Sequence, residues 1–156
     1  CVAAVLLKRA PKAVVAVSVE KLRRFTDLQD EKRSLRLELE KRDEELARGS
    51  IAKHEYRRRR KLIETRISEL NRSLAMLRND LKAIDPRYEQ ITRKLEKAES
   101  EVDALRASEN QITAQYRAGR ISKGVYESLL SDLRKRIEKA KATVDSIIVT
   151  LREETR

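Results

Sequence analysis

One cysteine, Cys1, stands among 156 residues, so no internal disulfide can form and cysteine usage gives no sign of an oxidising compartment. Tryptophan is absent, aromatics make up 3% of the chain, and there are only three Gly and two Pro. Such a chain lacks the bulky residues of a compact core. No run of 18 apolar residues occurs, so no segment reads as a membrane-spanning helix. The single histidine, His54, leaves no His/Cys zinc set and would have to carry any Ser-His-Asp arrangement alone. No glycine is followed by the Gly-Lys-Ser/Thr pattern that cradles phosphates. Carboxylate pairs such as Glu38/Glu40 and Glu44/Glu45 lie among Lys and Arg, as on a solvated helix face. The sequence reads as a non-enzyme, without metal or cofactor.

What remains is charge and leucine. Charged residues make up 40% of the chain, and its excess of Glu, Lys, Arg, Leu and Ala favours long helices. Phe25, Leu28, Lys32, Leu35, Leu39, Arg42 and Leu46 step by three and four. Tyr56, Arg60, Ile63, Ile67, Leu70, Leu74, Leu77, Leu81 and Ile84 continue the pattern, followed by Tyr88, Ile91, Leu95, Ala98, Val102, Leu105, Glu109, Ile112 and Tyr116. Tyr126, Leu130, Leu133, Ile137, Ala140, Val144, Ile147 and Leu151 complete it. This is the a/d seam of a coiled coil.

Two short stretches interrupt the seam. Residues 49–56 and 119–126 both read Gly-x-Ile-x-Lys-x-x-Tyr, through Gly49, Ile51 and Tyr56, then Gly119, Ile121 and Tyr126. Glycine tolerates the left-handed conformation that closes many helices, so each motif reads as a helix end, a turn and a new first turn. The motifs lie 70 residues apart, which is ten heptads, and adding 70 to the first seam reproduces the second. The chain therefore reads as a duplicated helix–turn–helix unit. A leucine stripe needs a partner, since burying each Leu or Ile contributes roughly 1.5–3 kcal/mol. The short links make the adjacent helix the nearest one, which predicts antiparallel hairpins. The rival is a long parallel dimer with local breaks at the glycines.

The expected fold is all-α, with long antiparallel coiled-coil helices at about 12–48, 50–118 and 121–154, the middle one kinked near Pro86. Asp85 is a good N-cap and Pro86 a good first helical residue, yet the seam passes through them without losing phase. Upstream, Val2–Leu7 is wholly apolar and is followed by Lys8 and Arg9, the reverse of a signal peptide's order. Residues 1–11 are expected to be the end of a β-rich domain, with a frayed helical end as the alternative. Residues 12–20 fit strand or helix. The chain starts with Cys rather than Met, as a fragment or processed chain would.

One cluster is chemically distinctive. Arg57, Arg58, Arg59, Arg60 and Lys61 are consecutive, so on a helix they face all directions and cannot all find i, i+4 carboxylates. Residues 49–84 hold ten Lys/Arg against four Asp/Glu, within a chain of net charge +11. Two readings compete. The cluster could pair with the acidic stretch 38–45, which a hairpin would bring alongside. Alternatively it could hold phosphates of nucleic acid or an anionic membrane surface, by release of counterions. No aromatics are interleaved for base stacking, so DNA contact would follow the backbone without sequence preference.

The two turns resemble the coiled-coil region of the CdvA family, archaeal cell-division proteins that work with ESCRT-III-like proteins. The resemblance covers about residues 19–154 and rests on Gly49, Ile51 and Tyr56, then Gly119, Ile121 and Tyr126. The family often has Pro after the Ile, where this chain has Ala52 and Ser122. It implies a PRC-barrel-like β-rich domain ending in residues 1–11, and a CdvA-like coiled-coil domain over 12–156. It further implies a non-enzymatic cytoplasmic scaffold at the division site or nucleoid, self-associating into filaments, binding DNA, and partnered by an ESCRT-III-like protein. Two other classes fit the residues: a coiled-coil arm of a chromosome-organising complex, and a basic partner-binding module.

Overall fold

The computed structural model describes residues 12–156, with side chains from Ser18 onward. Among these residues the protein is all-helical and no strand occurs. The four helices are α1 (Lys12–Ala47), α2 (Lys53–Ile84), α3 (Arg87–Arg117) and α4 (Lys123–Glu153). Residues 12–20 are thus helical from the start. The expected β-rich remnant at 1–11 lies outside the described residues. No helix among the described residues is long and apolar enough to cross a membrane.

The described residues form two compact units, one ending at Tyr88 but including Leu151–Arg156, the other running from Glu89 to Thr150. In the first, α1 and α2 pack antiparallel. Three side-chain contacts at increasing distance from the turn fix the register: Tyr56 to Asp43, Arg66 to Glu31, and Lys21 to Asp80. The pattern that predicts the seam is the pattern that is buried. Phe25 and Leu70 are each 1% exposed, and Ile63, Leu74, Leu77 and Leu81 are also buried. Where a helix turns every 3.6 residues, steps of three and four keep one face toward the partner. Arg60 is the exception: it holds a seam position, yet its side chain is 52% exposed.

The far end of this unit is broader than two helices. Leu22, Thr26 and Gln29 are buried beside Phe25, a stripe wider than the predicted seam. The end of α4 supplies the extra cover. Leu151 is fully buried, Arg152 pairs with Asp30 and, at 3.6 Å, with Asp27, and an Arg23 guanidinium donates to the Thr155 carbonyl at 3.0 Å. Tyr88 donates to Glu154 at 2.7 Å. Burial, and then the Glu154 carboxylate, push that phenol well above its usual pKa, so the hydroxyl stays a donor.

One expectation is corrected here. The span 50–118 is two helices rather than one kinked helix. Asp85 has φ −149° and ψ 123°, extended backbone that takes it out of the helix. Its N–H closes α2 on the Leu81 carbonyl at 3.0 Å, and its Oδ1 accepts from Arg87 N at 2.9 Å to open α3. Pro86 contributes the first residue of the new turn, where its missing N–H costs nothing. The restriction that proline places on the residue before it decides the break. Burial alone would raise the Asp85 carboxyl, but the Arg87 amide and guanidinium hold it below the usual range.

In the second unit Leu95, Ala98, Val102, Leu105, Ile137 and Ala140 are buried, again as the seam predicts. Near the end Ile148, rather than Ile147, is buried at 3% exposure. A helix of 3.6 residues per turn drifts against a strict 3.5-residue repeat, and the step after Val144 is four instead of three.

Candidate nucleic-acid interface at the first of two matching turns

The two turns share one geometry. Gly49 and Gly119 both have φ 73°. At the first, Gly49 N donates to Leu46 O at 3.1 Å and Ser50 N to Glu45 O at 2.9 Å. At the second, Gly119 N donates to Tyr116 O at 3.0 Å and Arg120 N to Gln115 O at 2.9 Å. These are the paired bonds of a Schellman motif, which satisfies the last carbonyls of a helix and requires a left-handed residue. Tyr56 N then bonds to Ala52 O and Tyr126 N to Ser122 O, each at 2.9 Å, opening the following helices. Ile51 and Ile121 are half-buried.

The two tyrosines also reach the same place. Tyr56 donates to Asp43 Oδ1 at 2.5 Å, and the Tyr126 hydroxyl meets Thr113 Oγ1 at 3.2 Å. Adding 70 to positions 43 and 56 gives 113 and 126. The sequence identifies the tyrosines but not these partners. The signal for them is a polar residue 13 positions before each Tyr. A third contact, Glu109 to Arg134 at 3.9 Å, continues the antiparallel register of α3 and α4 away from the second turn.

The tips differ in what they present. At the second, Tyr116 stacks on Tyr126, with centroids 4.4 Å apart and planes 3° from parallel. Val125 and Leu129 are exposed there, at positions held in the first unit by Glu55 and Arg59. Ser122 caps α4 by accepting from Val125 N at 3.2 Å, whereas Ala52 at the start of α2 offers no side-chain cap.

At the first tip the five cations lie on the first turns of α2. Arg58 and Arg59 both reach Glu55, at 2.9 and 3.2 Å, and hold its carboxyl below the usual range. Arg60 reaches Glu64 at 2.8 Å and also donates to the Tyr56 oxygen at 3.2 Å. Arg57 and Lys61 are exposed and have no ion-pair partner among the described residues. The cluster therefore does not pair with the 38–45 stretch. Three of its carboxylates are engaged elsewhere: Glu45 with Arg42 at 2.6 Å, Glu44 with Arg48 at 3.3 Å, and Asp43 with Tyr56. The link from the cluster across the hairpin is the chain Arg60–Tyr56–Asp43. Its proton stays on Tyr56, because burial and the Asp43 carboxylate raise the phenol's pKa while Arg60 lowers it less.

The arrangement offers a solvated cationic surface around one helix end, beside a hydrogen-bonded turn. Exposed pairs within one helix hold their partners weakly, so the guanidiniums can exchange Glu55 and Glu64 for phosphates. No group of three His, Cys, Asp or Glu among the described residues is placed to hold a metal. In comparisons with known proteins, no family model and no curated sequence matches this chain.

Proposed function

We propose that the chain is a non-enzymatic coiled-coil scaffold, built from two copies of one antiparallel hairpin, that self-associates and binds a polyanion at its first tip. The observation that carries this reading is the contrast between the tips. The same turn is built twice with the same bonds, yet only the first is fronted by five consecutive cations, two of them without ion-pair partners among the described residues. Such a surface binds phosphate backbone by counterion release, without reading sequence. With the resemblance at the turns, this supports a scaffold of archaeal cell division, acting on DNA or with membrane-associated ESCRT-III-like partners. A mere spacer arm has no use for two matched turns.

Light scattering and small-angle X-ray scattering, with and without duplex DNA at low and moderate salt, test the proposal. A self-associating chain whose assembly grows with DNA at low salt is the expected result. A chain that ignores DNA at every salt concentration contradicts the polyanion reading and favours the spacer arm.

A further inference from the structure

The two tips differ most on the outer face of the helix that follows each turn. In α4, Gly124, Val125, Ser128, Leu129 and Ser131 lie on the side away from the seam residues Tyr126, Leu130 and Leu133, and all five are exposed. None of them is charged, in a chain that is 40% charged. Subtracting 70 gives His54, Glu55, Arg58, Arg59 and Lys61 on α2. Four charged residues and a histidine are thus replaced by small and apolar ones. Val125 and Leu129, one turn apart on this face, are 49% and 41% exposed.

Gly124 points the same way. It lies inside α4 without a positive φ, and an added methyl group would meet no atom within 4 Å. Neither conformation nor crowding within the chain calls for glycine there, and in a helix it is destabilising relative to Ala. A bare backbone serves a surface that another chain approaches closely. Beside this face the charge has one sign. Arg117 and Arg120 are exposed and have no side-chain partner among the described residues. Lys123 reaches only Glu127, at 3.9 Å. Residues 117–131 hold these three cations against that one acid.

The combination selects among occupants. A phosphate backbone has no use for Val125 and Leu129. A bilayer meeting the tip end-on would reach the turn first, since Leu129 sits in the second turn of α4 along the side of the helix. A second copy of this face would bring cations against cations, on a patch roughly 12 Å long that falls short of the area a stable dimer buries. An amphipathic helix suits it. Its apolar ridge would lie along Val125 and Leu129 with its backbone close to Gly124. Acidic residues beside that ridge would meet Arg117, Arg120 and Lys123.

We infer that the outer face of α4 beside the second turn docks an acidic amphipathic helix of a partner protein. The inference rests on the second tip alone and goes beyond polyanion binding at the first.

The test titrates the full chain into a fluorescein-labelled peptide about four helical turns long, with Leu along one face and Glu on the other. A scrambled peptide of the same composition, without an apolar face, is the control. By fluorescence anisotropy at moderate salt, the amphipathic peptide should bind about tenfold or more tightly than the scrambled one. The same peptide with Lys in place of Glu should not bind. Val125→Glu combined with Leu129→Arg introduces residues that the first tip already carries on the same turn. It should weaken binding on the order of tenfold or more, with helix content by circular dichroism unchanged. Gly124→Gln should also weaken binding while holding or raising thermal stability, which a purely structural role for the glycine would not do. Arg57→Gln combined with Lys61→Gln should leave binding unchanged. Equal binding of the amphipathic and scrambled peptides, or full binding by the Val125 and Leu129 variant, overturns the docking face. Binding that is lost only with Arg57 and Lys61 assigns the peptide to the first tip, which overturns the docking face and leaves the polyanion reading standing.

Discussion

The Tyr56 hydroxyl donates to Asp43 Oδ1 at 2.5 Å and accepts from Arg60 at 3.2 Å, tying the basic cluster to the opposite helix of its hairpin. Tyr56→Phe removes both bonds while keeping the buried ring. Asp43 is exposed and can turn to water, so the loss should be about 0.5–1.5 kcal/mol in denaturant unfolding. The phenol's folded pKa is raised, so its contribution is present below the unfolded value near 10 and is lost as pH rises through the folded one. Wild type should lose stability in alkali more steeply than the Phe variant; parallel curves would mean the bond contributes nothing.

At Gly49 and Gly119 a methyl group added to the α-carbon would meet no atom within 4 Å, yet φ is 73°. Space is therefore not the constraint; conformation is. Gly49→Ala and Gly119→Ala should each cost roughly 1–2 kcal/mol, and Asn, which tolerates the left-handed region, should cost less. Thermal unfolding of the four single variants decides this. Equal losses for Ala and Asn would point to some other origin.

The caps differ where the turns agree. Ala52→Ser should gain what Ser122→Ala loses, about 0.5–2 kcal/mol in either case, because a serine oxygen at this position satisfies an amide of the first turn. Opposite signs in urea unfolding support the equivalence of the two turns. A serine at 52 that stabilises nothing would limit that equivalence to the backbone.

Asp85 joins α2 to α3 through one carboxylate. Its folded pKa is depressed, so the stability it contributes is present above the unfolded value near 3.9 and lost as pH falls through the folded value. Asp85→Asn keeps an acceptor for the Arg87 amide but cannot titrate. Its stability should fall less than wild type between about pH 5 and 2, as followed by circular dichroism. The same slope in both proteins would place the acid-sensitive group elsewhere.

Much of the fold is legible in the sequence because one force dominates it. Steps of three and four between apolar residues are what a helix needs to bury one face, so Phe25, Leu70, Leu95 and Ile137 can be placed from spacing alone. The turns are legible because φ 73° at Gly49 and Gly119 suits glycine best. Effects of a residue or two are harder to read. Seam phase continues through Asp85 and Pro86, and phase carries no trace of a local break to extended backbone. Arg60 holds a seam position by spacing but escapes it by length, a freedom of long cationic side chains. The Tyr56–Asp43 bond depends on register across the hairpin, which spacing within one helix does not determine. For the basic cluster, composition supplies the charge, but whether 38–45 neutralises it depends on which carboxylates already have partners.

Fluorescence anisotropy of a labelled DNA duplex against salt, for wild type and for Arg57→Gln combined with Lys61→Gln, tests the polyanion reading most directly. These two side chains are exposed, so the fold should be untouched. Log affinity should fall linearly with log salt, and the double variant should lower the slope by about 2 while weakening binding equally for unrelated sequences. Binding with the same affinity and slope in both proteins would contradict the assignment of phosphate contacts to this tip.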